Sequence, residues 1–290
     1  MTASPITLRR PVRQMAGIVL TSPHSGRCYS PAFLAASRLN AEAIRGSEDS
    51  FVDELFAMAP ELGVPLLAAE FPRAWCDVNR EPWELDPAMF ANPLPDYVNT
   101  ASPRVAAGLG TVARIVGTGE PIYARKLLFE EARERVETCW RPFHEALAGL
   151  IEESLGLFGH CLVLDCHSMP TPLSRLGGRP DIILGDGHGT SCLSAWSNHM
   201  ELLFEKLGFS VRRNDPYAGG FITRHYGRPR EGVQVMQIEI ARSLYMNERQ
   251  FTQKPSFEIV RRKMTALVEN VIAGERSWGA MGPGFNEAAE

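Results

Sequence analysis

The chain has 290 residues, 44% hydrophobic and 22% charged, a globular composition that excludes intrinsic disorder and fibrous repeats. Thirty Lys and Arg against 34 Asp and Glu leave a formal net charge of −4; the basic residues are scattered rather than striped, so no nucleic-acid partner is expected. No window approaches the ~18 apolar residues of a spanning helix and no signal-peptide core follows Arg9 and Arg10, so a cytoplasmic protein without a membrane partner is expected.

In chain order, short apolar runs predict strands over residues 17–20, 64–69, 161–164, 181–184 and 233–240. Helical spacing of apolar residues predicts helices over 49–58, 123–154 and 192–207. Between the second strand and the second helix, Pro82, Pro87, Pro93, Pro95, Pro103 and Pro121 mark an irregular excursion near residues 82–121. Strands alternating with helices predict an α/β fold, a mainly parallel, mixed and twisted sheet with helices on both faces. No linker or repeat divides the chain, and a single α/β domain over residues 1–290 is expected. The six cysteines include no C-x-x-C pair and read as reduced, mostly buried thiols.

Chemistry gathers where the strands end. The first strand runs into Thr21-Ser22-Pro23-His24-Ser25-Gly26 and the third into Asp165-Cys166-His167-Ser168-Met169-Pro170. Ligands of open α/β sheets sit beyond the carboxyl ends of strands, which puts His24 and His167 where a site is expected. A hydrolytic zinc site takes two histidines and a carboxylate and leaves a position for water. Glu48 and Asp49, where a loop turns into a helix, are the carboxylate candidates, unless they only cap that helix. Arg73, Asn79 and Arg80 offer guanidinium forks and an amide for a carboxylate or an oxyanion; with Asp77 they could equally form a surface salt-bridge loop. Gly185 to Thr190 has the composition of an anion-binding nest, and residues 214–225 supply Tyr217, a Gly pair and Arg224, though both segments suit plain turns. Strand alternation at residues 234–242 sets Gln237 and Glu239 on one face and Met236, Ile238 and Ile240 on the other. A carboxylate in so apolar a strand is either a general base or a partner of Arg242.

Taken together, Ser22-Pro23-His24-Ser25-Gly26, Asp77-Val78-Asn79-Arg80, Asp165-Cys166-His167-Ser168, Leu184 to Thr190, Pro216 to Gly220 and Gln237-Ile238-Glu239-Ile240 resemble the N-formylglutamate amidohydrolase family, in that family's order and over roughly residues 17–250. The resemblance implies a zinc-carboxypeptidase-like fold and metal-dependent hydrolysis of N-formyl-L-glutamate to formate and L-glutamate, a step of histidine degradation. The family is distantly similar to zinc carboxypeptidases and to the aspartoacylase and succinylglutamate desuccinylase enzymes. By position, that similarity implies His24 and His167 as ligands of one divalent metal ion, zinc by its donors, with Asn79 and Arg80 on a substrate carboxylate and Glu239 as the base. Those relatives carry H-x-x-E at the first ligand pair, whereas His24-Ser25-Gly26-Arg27 has no acid there. The amidohydrolase family more often places an Asp at the position of Asp49, so the resemblance implies Asp49 as the third ligand, with Glu48 as the alternative. Arg73 is expected on the tetrahedral oxyanion, and Tyr217 and Arg224 on the acidic N-acyl substrate.

Three other readings fit subsets of these residues. Another N-acyl amino acid deacylase or a carboxypeptidase-like enzyme would keep the metal and Glu239. A dicarboxylate-binding protein would keep only the arginines. A thiol hydrolase would use Cys166, although neighbours on a strand point to opposite faces.

Overall fold

The computed structural model describes residues 4–171 and 180–279; the first three residues of the N-terminal stretch read above lie outside it. The chain begins with β1 (Ile6–Arg9), β2 (Ile18–Ser22), α1 (Pro31–Ala36), α2 (Val52–Leu55) and β3 (Leu66–Ala69). An irregular stretch follows, holding α3 (Pro103–Ala106). Next come α4 (Phe129–Arg135) and α5 (Arg141–Phe158), joined through a π-helical turn at Val136–Trp140. The remainder contains β4 (Cys161–Met169), β5 (Ile182–Gly185), α6 (Ser194–Lys206), β6 (Val211–Arg213), α7 (Phe221–Tyr226) and β7 (Val233–Ala241). A small antiparallel pair, β8 (Met246–Asn247) with β9 (Thr252–Gln253), leads into α8 (Phe257–Gly279).

Seven strands form one sheet in the order β1-β3-β2-β4-β7-β5-β6. The pairs β2/β4, β4/β7 and β5/β6 are parallel and β5/β7 is antiparallel, the mainly parallel, mixed α/β sheet expected from the alternation of elements. Two compact units are distinguished. One comprises Met1–Thr7, Pro23–Ser50 and Ala68–Leu147, the other Leu8–Ser22, Phe51–Leu67 and Ala148–Glu290.

In the second unit the pleat sorts residues by polarity. Leu162, Leu164 and Cys166 of β4, Met236, Ile238 and Ile240 of β7, and Ile182 and Leu184 of β5 enter one core with Trp196, Met200 and Phe204 of α6 and Met264, Leu267 and Val271 of α8. Strand side chains alternate between faces, so Asp165, His167, Gln237 and Glu239 share the opposite face. The register pairs Thr21 with Asp165, Asp165 with Gln237, and His167 with Glu239. All of these residues are buried.

The first unit contains the proline-rich stretch. That stretch folds around two apolar clusters, Leu85, Met89, Phe90, Val98, Val112 and Leu127 in one and Phe33, Ile44, Ala113, Val116 and Ile122 in the other. Arg135 of α4 is buried with its guanidinium carbon 3.6 Å from the centre of the Trp75 ring, a cation–π contact worth about 2 kcal/mol when desolvated.

Several boundaries differ from those predicted. β4 extends to Met169, so His167 stands within the strand rather than beyond it. The helix expected over 49–58 shrinks to Val52–Leu55, because Phe51 adopts the left-handed conformation with φ 68° and interrupts helical hydrogen bonding before it. The sequence elements above include no helix after β7, yet Phe257, Val260, Met264, Leu267, Val268 and Val271 recur at helical spacing and are buried along α8.

A carboxylate on α8 secures the entry to two strands. Glu275 Oε1 accepts from the Gly17 backbone N–H at 2.7 Å and from His160 Nε2 at 2.7 Å. A Cβ on Gly17 would lie 2.6 Å from the His160 carbonyl oxygen, so the close approach requires glycine there. The hydrogen bond to Glu275 raises the His160 pKa above its ordinary 6.5, with burial opposing. A raised histidine stabilises the fold fully below its unfolded pKa, and that contribution disappears as pH rises through the folded value. Glu275→Gln is therefore expected to lower the urea midpoint more at about pH 5.5 than at about pH 9; an equal loss at both would show that His160 is not the charged partner.

Candidate active site

His24 lies two residues past β2, in a turn that glycine makes possible: a Cβ on Gly26 would run into the Phe71 carbonyl oxygen. His24 Nε2 is 2.8 Å from Asp77 Oδ1, and Nδ1 is 3.5 Å from Asp49 Oδ2. An ionised carboxylate only accepts hydrogen bonds. Nε2 therefore donates to Asp77, and Nδ1 is the ring nitrogen on the Asp49 side. Asp49 is held in place by its backbone N–H, which donates to the His24 carbonyl at 3.0 Å.

Asp77 gathers further donors. Its Oδ2 accepts from Arg73 Nε at 2.8 Å, its Oδ1 accepts from the Asn79 backbone N–H at 2.9 Å, and Arg80 Nη2 lies 3.7 Å from Oδ2. Burial alone would push the Asp77 carboxyl up, but Arg73, Arg80 and His24 outweigh it and hold the group well below the usual carboxylate range. Arg80 is itself buried, and that desolvation brings its guanidinium down to about 10, with Asp77 opposing; it stays charged at neutral pH. Its Nε donates to the Leu109 carbonyl at 2.9 Å and its Nη1 to the Asn79 carbonyl at 2.7 Å. The loop is braced by Trp140, whose Nε1–H reaches the Arg80 carbonyl at 2.9 Å, and by His144 Nε2, 2.8 Å from the Val78 carbonyl.

Glu48 and Asp49 are neighbours with different surroundings. Glu48 accepts two bonds from Arg45, at 2.9 and 2.8 Å, one from Ser50 Oγ at 2.6 Å and one from the Tyr29 hydroxyl at 3.1 Å. The residue at the start of α2 is Phe51, two positions beyond Asp49, and Glu48 directly follows the 3-10 turn Ala43–Ser47.

On β4, His167 Nε2 lies 2.9 Å from Asp165 Oδ2, the same use of Nε2 as in His24. On β7, Glu239 Oε1 accepts from Gln237 Nε2 at 2.8 Å. Arg242, the structural partner considered for Glu239, donates from Nε to Ser168 Oγ at 3.0 Å. Cys166 faces the apolar core, and burial pushes its thiol well above its ordinary value, which is unsuited to a nucleophile. Tyr217 is partly buried beside Met169, Ile183 and Ala241. Arg224 is exposed on α7. The glycine-rich turn after β5 closes around its own carboxylate: Asp186 accepts from Ser197 Oγ at 2.7 Å, Asn214 Nδ2 at 2.8 Å and the Gly189 N–H at 2.9 Å. An internal anion thus takes those donors.

His24, Asp49 and His167 are all buried and each offers one ligand atom, the three atoms lying within 4.8 Å of one another. Two imidazoles and a carboxylate form a donor set that can hold a divalent metal ion. Asp77 and Asp165, each paired with one of the two imidazoles, are the carboxylates beside this group to which the sequence reading gave no role in it. The D-x-H spacing on β4 was a signal for Asp165, since i and i+2 share a strand face. Asp77 lies 53 positions from His24 and has no such signal.

The profile of the N-formylglutamate amidohydrolase family matches residues 16–246. The chain belongs to this family. An N-formylglutamate deformylase of Pseudomonas putida is 28% identical over 269 residues, covering 91% of this chain and 93% of that protein. One from Pseudomonas aeruginosa is 30% identical over 270 residues, covering 90% and 93%. The crystal structure of N-formylglutamate amidohydrolase from Ralstonia eutropha JMP134 aligns with a TM-score of 0.89 at 34% identity, covering 94% of this chain and 99% of that one. The gene product Atu2144 from Agrobacterium tumefaciens, at 18% identity and a TM-score of 0.64 over 93% and 95% of the two chains, shares the fold. No helix among the described residues is long and apolar enough to cross a membrane.

The two adjacent acids should separate by experiment. Asp49→Asn is expected to weaken zinc binding by about 10-fold or more. Glu48→Gln should leave zinc binding unchanged while costing about 1–3 kcal/mol of stability by leaving its donors unpaired. Zinc titration and urea unfolding of both variants check this, and zinc loss in Glu48→Gln alone would exchange the assignments.

Proposed function

We propose that this chain hydrolyses N-formyl-L-glutamate to formate and L-glutamate, with His24, Asp49 and His167 holding one divalent ion, zinc by the chemistry of its donors. The observation that carries the reading is the buried His-Asp-His group in a member of this family. The names of the two Pseudomonas relatives, both N-formylglutamate deformylases, supply the substrate.

A bound divalent ion would supply Lewis-acid chemistry, making a water more acidic and polarising a carbonyl. Glu239 removes a proton from the attacking water as its oxygen bonds to the formyl carbon. It returns that proton to the glutamate nitrogen as the C–N bond breaks. Its place in an apolar strand, next to His167 in register, suits a carboxylate that exchanges a proton. Arg73, anchored through Nε to Asp77, offsets the negative charge that develops on the carbonyl oxygen. Arg80 and Asn79 hold the α-carboxylate, and Arg224 with Tyr217 engages the side-chain end of the substrate. Arg80 is buried and charged, and Arg73 and His24 share its carboxylate partner Asp77, so an added substrate carboxylate is favoured over a neutral group.

Glu239→Gln retains shape and removes basicity. A fall in kcat of about 10²- to 10⁴-fold is expected, with zinc stoichiometry and L-glutamate affinity retained. Normal turnover per folded molecule in this variant would refute the assignment. Substrate choice provides a second check: N-formylglutamate should exceed N-formylleucine in kcat/KM by about 10²-fold or more, since the pocket's charged donors would otherwise be left unpaired. Arg80→Lys should erode that preference, because a point charge does not reproduce the bidentate fork. Equal use of both substrates would remove the roles given to Arg80 and Arg224.

A further inference from the structure

Asp77 is a single carboxylate with two different sets of partners. Oδ1 accepts a hydrogen bond from His24 Nε2 at 2.8 Å, while Oδ2 accepts one from Arg73 Nε at 2.8 Å and lies 3.7 Å from Arg80 Nη2. The side chain is 3% exposed, so water screens these interactions weakly. The histidine belongs to the metal set and the arginines to the anion-binding set. Without a substrate anion, both guanidinium groups draw on the charge of Asp77. A carboxylate arriving at Arg80, or an oxyanion forming near Arg73, competes for those guanidinium groups. More of the Asp77 charge is then available to the His24 N–H, and an imidazole whose N–H is pulled more strongly is a better donor at its other nitrogen.

We propose that Asp77 is a positioning residue that couples the two halves of the site, so that the metal ion and the substrate's carboxylate each strengthen the binding of the other. This rests on the metal and substrate assignments made above. By linkage the effect is reciprocal: the factor by which L-glutamate tightens zinc binding equals the factor by which zinc tightens L-glutamate binding. Direct attraction between cation and anion also contributes, but it does not depend on Asp77. The portion carried by Asp77 is therefore what its replacement removes.

The test measures zinc affinity of the full-length protein by competition with a chelating indicator, with and without saturating L-glutamate, and L-glutamate affinity by calorimetry with and without zinc. In the wild type both ratios should agree at about 5-fold or more. Asp77→Asn keeps the side-chain shape and an oxygen for His24 but removes the charge, and its ratio should fall toward one even where each ligand still binds. Should Asp77→Asn not fold, Arg73→Gln at a partly exposed position breaks the same link from the other side. It should lower the ratio while zinc alone binds at least as tightly as in the wild type. A merely structural role for Asp77 would weaken both ligands and leave the ratio unchanged, which overturns the proposal, as does a wild-type ratio of one. Wild-type protein that binds neither zinc nor L-glutamate overturns the proposed function and the coupling with it, an outcome distinct from binding without coupling.

Discussion

The register between β4 and β7 is the constraint on which the second unit rests. Strand side chains repeat every two residues, so a slip of β7 by one position against β4 would carry Gln237 and Glu239 into the apolar core and turn Met236 and Ile238 out of it. Both strands are buried along all nine of their residues, and an unpaired carboxylate or imidazole on the wrong face would cost several kcal/mol. The core on one face therefore fixes the polar row on the other. Packing and chemistry are set by one geometric choice.

Polarity in the first unit is arranged differently. The loop carrying Asp77, Asn79 and Arg80 gains its shape from hydrogen bonds rather than from strand alternation, with carbonyls of Val78, Asn79 and Arg80 each taken by a side chain. Burying Asp77 with Arg73 and Arg80 recovers little net stability, because desolvation of ions offsets much of their attraction. What it secures is geometry: a guanidinium held by carbonyls keeps its charge and its orientation, and an imidazole held by a carboxylate keeps one tautomer. Pre-oriented charges of this kind cost little reorganisation when a substrate arrives.

Glycine and left-handed backbone mark the places where chain segments come closest. Gly17, Gly26 and Gly185 each stand where a Cβ would collide with a neighbouring carbonyl. Phe51, with φ 68°, separates the Asp49 turn from α2 and prevents the helix from reaching back over the acids. Asp49, on the near side of that break, lies beside His24.

Sequence by itself determined the α/β class, the alternation in β7 that sets Glu239 opposite Ile238 and Ile240, the two histidines and the family, because these depend on local periodicity and on motifs in a fixed order. It also contained the helical spacing of α8, which is as regular as that of α6. It did not separate Glu48 from Asp49 by local pattern, which both satisfy; in the structure Arg45, Ser50 and Tyr29 surround Glu48, while Asp49 lies beside His24. Nor did it reveal that Asp77 receives His24 from 53 residues away, or that Asp186 takes the donors of its own glycine-rich turn. Those facts depend on which side chains meet after the strands have paired, and electrostatic partners, unlike hydrophobic periods, leave no repeat along the chain.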